Sequence, residues 1–201
     1  GKWSHRIEKD NTLELTAYVN DFYASPGLPQ IDYRYQQIAF QLGHNFRPSE
    51  NHTLSWGFDT RADMLDASNS DSQLLSRDFV STGILGLYVQ DEWRFAPDWI
   101  LNLGGRLDYE FYGGFQPSAR ASLVRKLSDT SQVYAAVSRA FQMPPVGLRF
   151  LELPLLNGLA WAESERSLDP LTLLAYEIGY HTRLFDRLQL GHSLCQFGFG
   201  G

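Results

Sequence analysis

Alternation with a period of two governs this chain. Over residues 53–64, Leu54, Trp56, Phe58, Thr60, Ala62 and Met64 fall on one side of an extended backbone. Thr53, Ser55, Gly57, Asp59, Arg61 and Asp63 fall on the other. Successive side chains of a strand point to opposite faces, so such a stretch reads as a strand with one apolar and one polar side. Residues 99–111 repeat the pattern. Trp99, Leu101, Leu103, Gly105, Leu107, Tyr109 and Phe111 alternate there with Ile100, Asn102, Gly104, Arg106, Asp108 and Glu110. Residues 36–46 and 83–95 do the same, except that Asp91 interrupts the apolar side without a reason that alternation can supply.

Weaker alternation over 13–23, 117–127, 132–141, 172–183 and 188–195, with a strand tail in 1–8, brings the expectation to about ten strands. Most are too long for an ordinary sandwich, whose strands cluster near 5–6 residues, and suit a tilted bilayer crossing of about 9–11. The connections sort by parity. Lys9-Asp10-Asn11, Arg47-Pro48-Ser49-Glu50, Ala96-Pro97-Asp98, Ser128-Asp129-Thr130 and Phe185-Asp186-Arg187 are tight turns by composition. Longer links at 24–32, 65–79 and 142–171 fall between them, with Tyr112-Gly113-Gly114-Phe115 as a short exception. Short turns at one end and long loops at the other are the layout of an outer-membrane barrel. Phe46, Trp56, Trp93, Phe95 and Trp99 flank the short turns, where a girdle at the membrane interface would place them. As core rings of a soluble sheet they would be equally at home. Two segments leave a helix open: Asp169-Pro170 preceding Leu171, Leu174, Ala175 and Ile178, and the apolar stretch from Val146 to Trp161.

Composition narrows the function. With 17 Lys and Arg against 23 Asp and Glu, the net charge of −6 speaks against a nucleic-acid partner. The single Cys195 excludes an internal disulfide framework or a Cys-rich zinc site. A mean hydropathy of −0.29 would suit a soluble protein, but an alternating barrel gives the same average. None of the five His forms a zincin pair, and no phosphate loop, dinucleotide fingerprint or nucleophile elbow occurs, so neither an enzyme nor a cofactor is expected. Asn51-His52-Thr53 reads as turn chemistry. Asp66–Asp71 lacks the spacing and the glycine of a calcium loop.

The run Tyr88-Val89-Gln90-Asp91-Glu92-Trp93-Arg94-Phe95, then Leu101-Asn102-Leu103-Gly104-Gly105-Arg106-Leu107-Asp108-Tyr109, resembles the barrel of TonB-dependent outer-membrane receptors. Pro117–Val124, Val133–Pro145 and Leu173–Tyr180 continue the resemblance, which covers most of residues 1–194 and turns 172–182 toward strand. It implies an all-β fold, part of a transmembrane barrel of long up-and-down strands in the Gram-negative outer membrane. It also implies partners: outer-membrane lipid, a plug domain, a TonB complex that supplies energy, and a scarce ligand such as a ferric siderophore or cobalamin. Complete members carry a plug and about 22 strands. This chain is therefore expected to be an internal, truncated or frame-shifted piece, not competent for transport alone, with a long outer loop near 142–171. Its last strand is expected to decay after Leu190 into an atypical tail at 195–201.

Ligand capture in such receptors uses outer loops and the plug apex. The nearest candidates here are Tyr112, Arg139, Phe150 and Trp161, aromatic and guanidinium groups suited to a large anionic chelate. The polar side of the strands carries Asp59, Arg61, Asp63, Glu92, Arg106, Asp108, Glu110 and Arg120. These either pair across neighbouring strands or line a transport path and grip a plug. A passive porin or adhesin barrel and a soluble all-β binding protein are the alternatives.

Overall fold

The computed structural model describes residues 1–25, 32–69, 77–145, 149–150, 168–184 and 188–200, and the backbone of 152–155 and 160–163. Ten strands form one antiparallel sheet: β1 (Lys2–Glu8), β2 (Asn11–Ala24), β3 (Tyr33–Ser49), β4 (His52–Asp66), β5 (Phe79–Ala96), β6 (Trp99–Glu110), β7 (Gly114–Lys126), β8 (Ser131–Gln142), β11 (Leu171–Leu184) and β12 (Leu188–Gly200). Each lies beside its predecessor in the chain. The one detour is the β8–β11 connection, where β9 (Glu152–Leu155) and β10 (Ala160–Glu163) pair as a small separate sheet. Nine of the ten main strands have 12 or more residues, the length class of membrane crossings.

Antiparallel order puts the links before β2, β4, β6 and β8 at one end and those before β3, β5, β7 and β11 at the other. The first group is short, and Asp10 takes a left-handed φ of 62° in the first of these turns, a conformation that Asp tolerates. The expected turn at Phe185-Asp186-Arg187 lies outside the described residues.

The stretch Val146–Trp161 is helical at Arg149, as the open helix reading allowed, and then extended: its backbone forms β9 and enters β10, whose pairing satisfies backbone hydrogen bonds over the loop. One expectation is corrected: the last strand does not decay. β12 pairs with β11 from Leu184↔Leu188 to Thr172↔Gly200. The edge of β11 offers a full row of backbone groups, and Gly-Phe sequence can accept them as well as any other. The possible helix after Pro170 is strand β11.

Register defines two faces. Rows such as Leu42↔Phe58, Phe58↔Leu87, Leu87↔Leu107 and Leu107↔Pro117 make an apolar one. Rows such as Gln41↔Asp59, Asp59↔Gly86 and Gly86↔Asp108 make a polar one. Among the described residues no layer covers the apolar face. Among the described residues the buried apolar side chains are Ala39, Ala67, Val80 and Phe150, whereas Leu87 is 60% exposed and Ile178 59%. A soluble sandwich would bury those side chains against a second sheet. The sheet does not close: β1 and β12 each have one neighbour, so both outer edges present unpaired backbone groups.

Candidate functional site

The polar face is held together by long side chains laid across glycines. Arg106 on β6 reaches over Gly86 on β5 to Asp59 on β4, donating from Nη1 to Oδ1 at 2.5 Å and from Nη2 to Oδ2 at 2.9 Å. The same guanidinium grips Asp108, two residues along its own strand, from Nε at 2.8 Å and Nη2 at 2.5 Å. Gly86 makes the crossing possible, since a Cβ there would sit 2.2 Å from Arg106 Nη2. Asp108 is 1% exposed, so this doubly bidentate arrangement neutralises a carboxylate that water does not reach.

Tyr88 repeats the device. Its ring lies over Gly57, where a Cβ would come within 2.6 Å of Cε1 and 2.5 Å of Oη, and its hydroxyl continues toward Gly43. Tyr134 lies over Gly179 and donates to Glu177 Oε1 at 2.5 Å. Farther toward the long-connection end, Asp63 accepts from Tyr35 Oη at 2.5 Å, Gln37 Nε2 at 2.8 Å and Arg61 Nε at 2.9 Å.

At that same end the wall meets the loops. Glu110 closes β6, accepting from Thr82 Oγ1 at 2.7 Å, from the Tyr112 amide at 2.9 Å and from the Gly113 amide. Its carboxylate thereby satisfies the tight β6–β7 turn. Arg149 from the β8–β11 connection approaches it at 3.9 Å and lies over the Tyr112 ring, 5.6 Å from the centroid. Phe150 packs edge-on against Tyr112 at 5.7 Å, with the Arg77 guanidinium from the β4–β5 connection 5.6 Å from the Phe150 ring centroid. Three connections thus meet in one cluster of two rings, two guanidiniums and a carboxylate.

Of the proposed capture residues, the structure brings Tyr112 and Phe150 together. Trp161 stands in β10 opposite Pro154. Arg139 is separated from them: it shares a row with Ala119, Gly105 and Val89 on the apolar face. Of the polar-face charges, Asp59, Arg106 and Asp108 form one cluster, Arg61 joins Asp63, and Glu92 accepts from Arg94 at 2.8 Å. Several of these pairs run two residues along one strand instead of across strands. Phe46, Trp56, Trp93, Phe95 and Trp99 fall on apolar-face rows near the short-turn end, with Trp93 5.5 Å from Phe95 and Phe95 6.2 Å from Trp99. Beside them His52 bonds Asp91 at 2.8 Å and stacks on Trp93, so the acid that breaks the alternation has a partner. Among the described residues no group of His, Cys, Asp and Glu could hold a metal.

The profile of the family described as TonB dependent receptor-like, beta-barrel, matches residues 2–194. The chain belongs to that family. The barrel of that family sits in the Gram-negative outer membrane, and such barrels turn an apolar face to lipid and a polar face to the lumen. The sheet resembles the siderophore receptor PirA from Pseudomonas aeruginosa, with a TM-score of 0.73 and 16% identity over 98% of this chain and 44% of that one. It also resembles the ferric-catecholate import receptor Fiu from K12 E. coli, with a TM-score of 0.70 and 16% identity over 98% and 40%. An iron-regulated outer membrane virulence protein of Vibrio cholerae serotype O1 is 31% identical over 97 residues, which are 48% of this chain and 15% of that protein. The chain thus spans less than half the length of these relatives.

The outer ends of β2 and β3 rise past the roughly ten residues that a crossing requires. There Arg34 donates to both oxygens of Asp21, at 2.9 and 2.5 Å, and Gln36 adds a third bond at 3.2 Å. The Arg34 bonds, and then that of Gln36, hold the Asp21 carboxyl at about 2. A lowered carboxyl stabilises the fold above its ordinary value near 3.9 and loses that contribution as pH falls toward 2. Hydrogen exchange at the Tyr23 and Arg34 amides should therefore accelerate relative to core amides between about pH 4 and pH 2. An Asp21→Asn variant should show no such pH step. A step of equal size in the variant would assign it to another group.

Proposed function

We propose that this chain forms part of the lumen wall and outer mouth of a TonB-energised receptor that takes up a ferric siderophore. It is a transport receptor and not an enzyme, and its partners are a plug domain, the TonB complex and the ferric chelate. Family membership supports the barrel, and the names of the similar proteins support the iron-chelate ligand. The observation that carries the reading is the cluster at the long-connection end. There Tyr112, Phe150, Arg77 and Arg149 join three connections around one carboxylate. Rings and guanidiniums are the groups that hold a flat, anionic chelate at the entrance to a polar lumen.

In the full-length receptor, Tyr112→Ala with Phe150→Ala should weaken binding of a ferric catecholate chelate about tenfold or more, from the loss of the exposed Tyr112 ring and of the buried Phe150 ring that backs it. Uptake of radiolabelled iron should stop when TonB is removed. Unchanged chelate binding in the double variant would take the mouth cluster out of ligand capture. Uptake that persists without TonB would favour a passive pore.

A further inference from the structure

We propose that the lipid-facing side of β5–β8 and β11 is a specific site for a phosphorylated lipid of the outer leaflet, with Arg139 as the anion-binding group. Arg139 lies on a row with Leu174, Ala119, Gly105 and Val89, so it faces the bilayer and not the lumen. An arginine on the lipid face of a barrel is disfavoured most at the midplane and least near the interfaces. This one stands eight residues beyond Ser131, close to the outer end of a 12-residue strand. Its guanidinium donates to the carbonyl of Pro117, which lies two residues nearer the outer end than Ala119, its register partner. The side chain therefore reaches outward, toward the headgroups.

Its charge is left for something else to balance. Four other arginines of the wall and the outer rim hold carboxylates, Arg34 with Asp21, Arg61 with Asp63, Arg94 with Glu92 and Arg106 with Asp59 and Asp108, whereas Arg125 lies over the Trp99 ring. Among the described residues Arg139 hydrogen-bonds only the Pro117 carbonyl, and one carbonyl leaves most of its five donors available to an anion. Below it the surface is hollowed. Gly105, Ala119 and Ala121 floor a recess of about 450 Å³ walled by Leu103, Val137 and Leu174, and the lining is almost wholly apolar. A Cβ on Gly105 would meet nothing within 4 Å. An open apolar channel under an outward-reaching guanidinium matches a lipid with a phosphate above and an acyl chain below. Asp91, at the inner end of the same recess, is engaged with His52.

The test uses the full-length receptor in phosphatidylcholine nanodiscs, with lipid A and its dephosphorylated form as probes and native mass spectrometry as the readout. The wild type should retain lipid A. Arg139→Gln should reduce retention about tenfold, because the charge-assisted bonds to phosphate go while a donor to Pro117 stays. Gly105→Leu, which fills the recess without touching the arginine, should also lower it. The dephosphorylated lipid should be held weakly, and inorganic phosphate should not displace lipid A. Heat-modifiable migration checks that each variant is folded, and Arg139→Gln decides the matter if Gly105→Leu does not fold. Equal retention by Arg139→Gln, or equal retention of the dephosphorylated lipid, would overturn the site. Displacement by inorganic phosphate would reduce it to a free-anion site and overturn the lipid assignment.

Discussion

Arg106→Leu in the full-length receptor is expected to lower stability by about 3–5 kcal/mol, the range for removing one partner of a buried ion pair. The residue is hydrogen-bonded to two carboxylates through four contacts, and one of the two, Asp108, is 1% exposed. Without the guanidinium, Asp108 keeps a charge that neither water nor protein neutralises. Asp59, with 20% of its side chain exposed, is better able to recover water. The measurement is urea unfolding of the reconstituted barrel, followed by tryptophan fluorescence. Adding Asp108→Leu to Arg106→Leu should recover a large part of the loss, since a buried pair removed together leaves no orphan charge. A single-variant loss under about 1 kcal/mol would mean that the cluster is hydrated and contributes like an ordinary surface pair.

Gly57→Ala is the second large expected effect, about 1–3 kcal/mol, the cost of forcing an added methyl into filled space. The new Cβ would lie 2.4 Å from the Leu42 carbonyl oxygen and 2.5 Å from Tyr88 Oη. The tyrosine can turn away, but the carbonyl belongs to the β3–β4 ladder and cannot move without breaking it. Tyr88→Ala should therefore relieve only part of the Gly57→Ala penalty. A double-mutant cycle on unfolding free energies separates the two parts. Complete rescue by Tyr88→Ala would show that the backbone contact relaxes freely. By contrast, Gly105→Ala on the opposite face meets nothing within 4 Å and should be close to neutral.

These two sites mark the boundary of what alternation reveals. The strands were legible because lipid on one side and a wet lumen on the other impose opposite demands on odd and even residues. Residues 53–64 and 99–111 carry that demand with hardly an exception. The parity of loop lengths gave the up-and-down order. Alternation assigns a face but not a reach, so it could not show that Arg106 spans two strands to Asp59 or that Tyr88 extends toward Gly43. The available signal was a glycine opposite a long side chain on the polar row, as at Gly86 and Gly57. Arg139 is grouped with the outer-loop capture residues on its chemistry, and parity adds the face it occupies. Counting from Val133 and Val137 places it on the apolar side. The apolar content of Val146–Trp161 has no period, so it left open a segment that is helical at Arg149 and paired as strand in β9 and β10.

The glycine crossings also bear on how the strands find their alignment. A slip of one residue turns every apolar group into the lumen and is rejected by solvent alone. A slip of two restores the correct faces, and hydrophobicity cannot tell it from the true alignment. Sliding β5 by two residues against β4 would carry Tyr88 away from Gly57 and bring it against Ser55 or Asp59, where a side chain already fills the space. Sliding β5 against β6 would take Gly86 from beneath Arg106 and put Tyr88 or Ile84 in its place. Each crossing thus acts as a vernier mark that reads the error that alternation cannot see, and it is read only when the third strand has arrived.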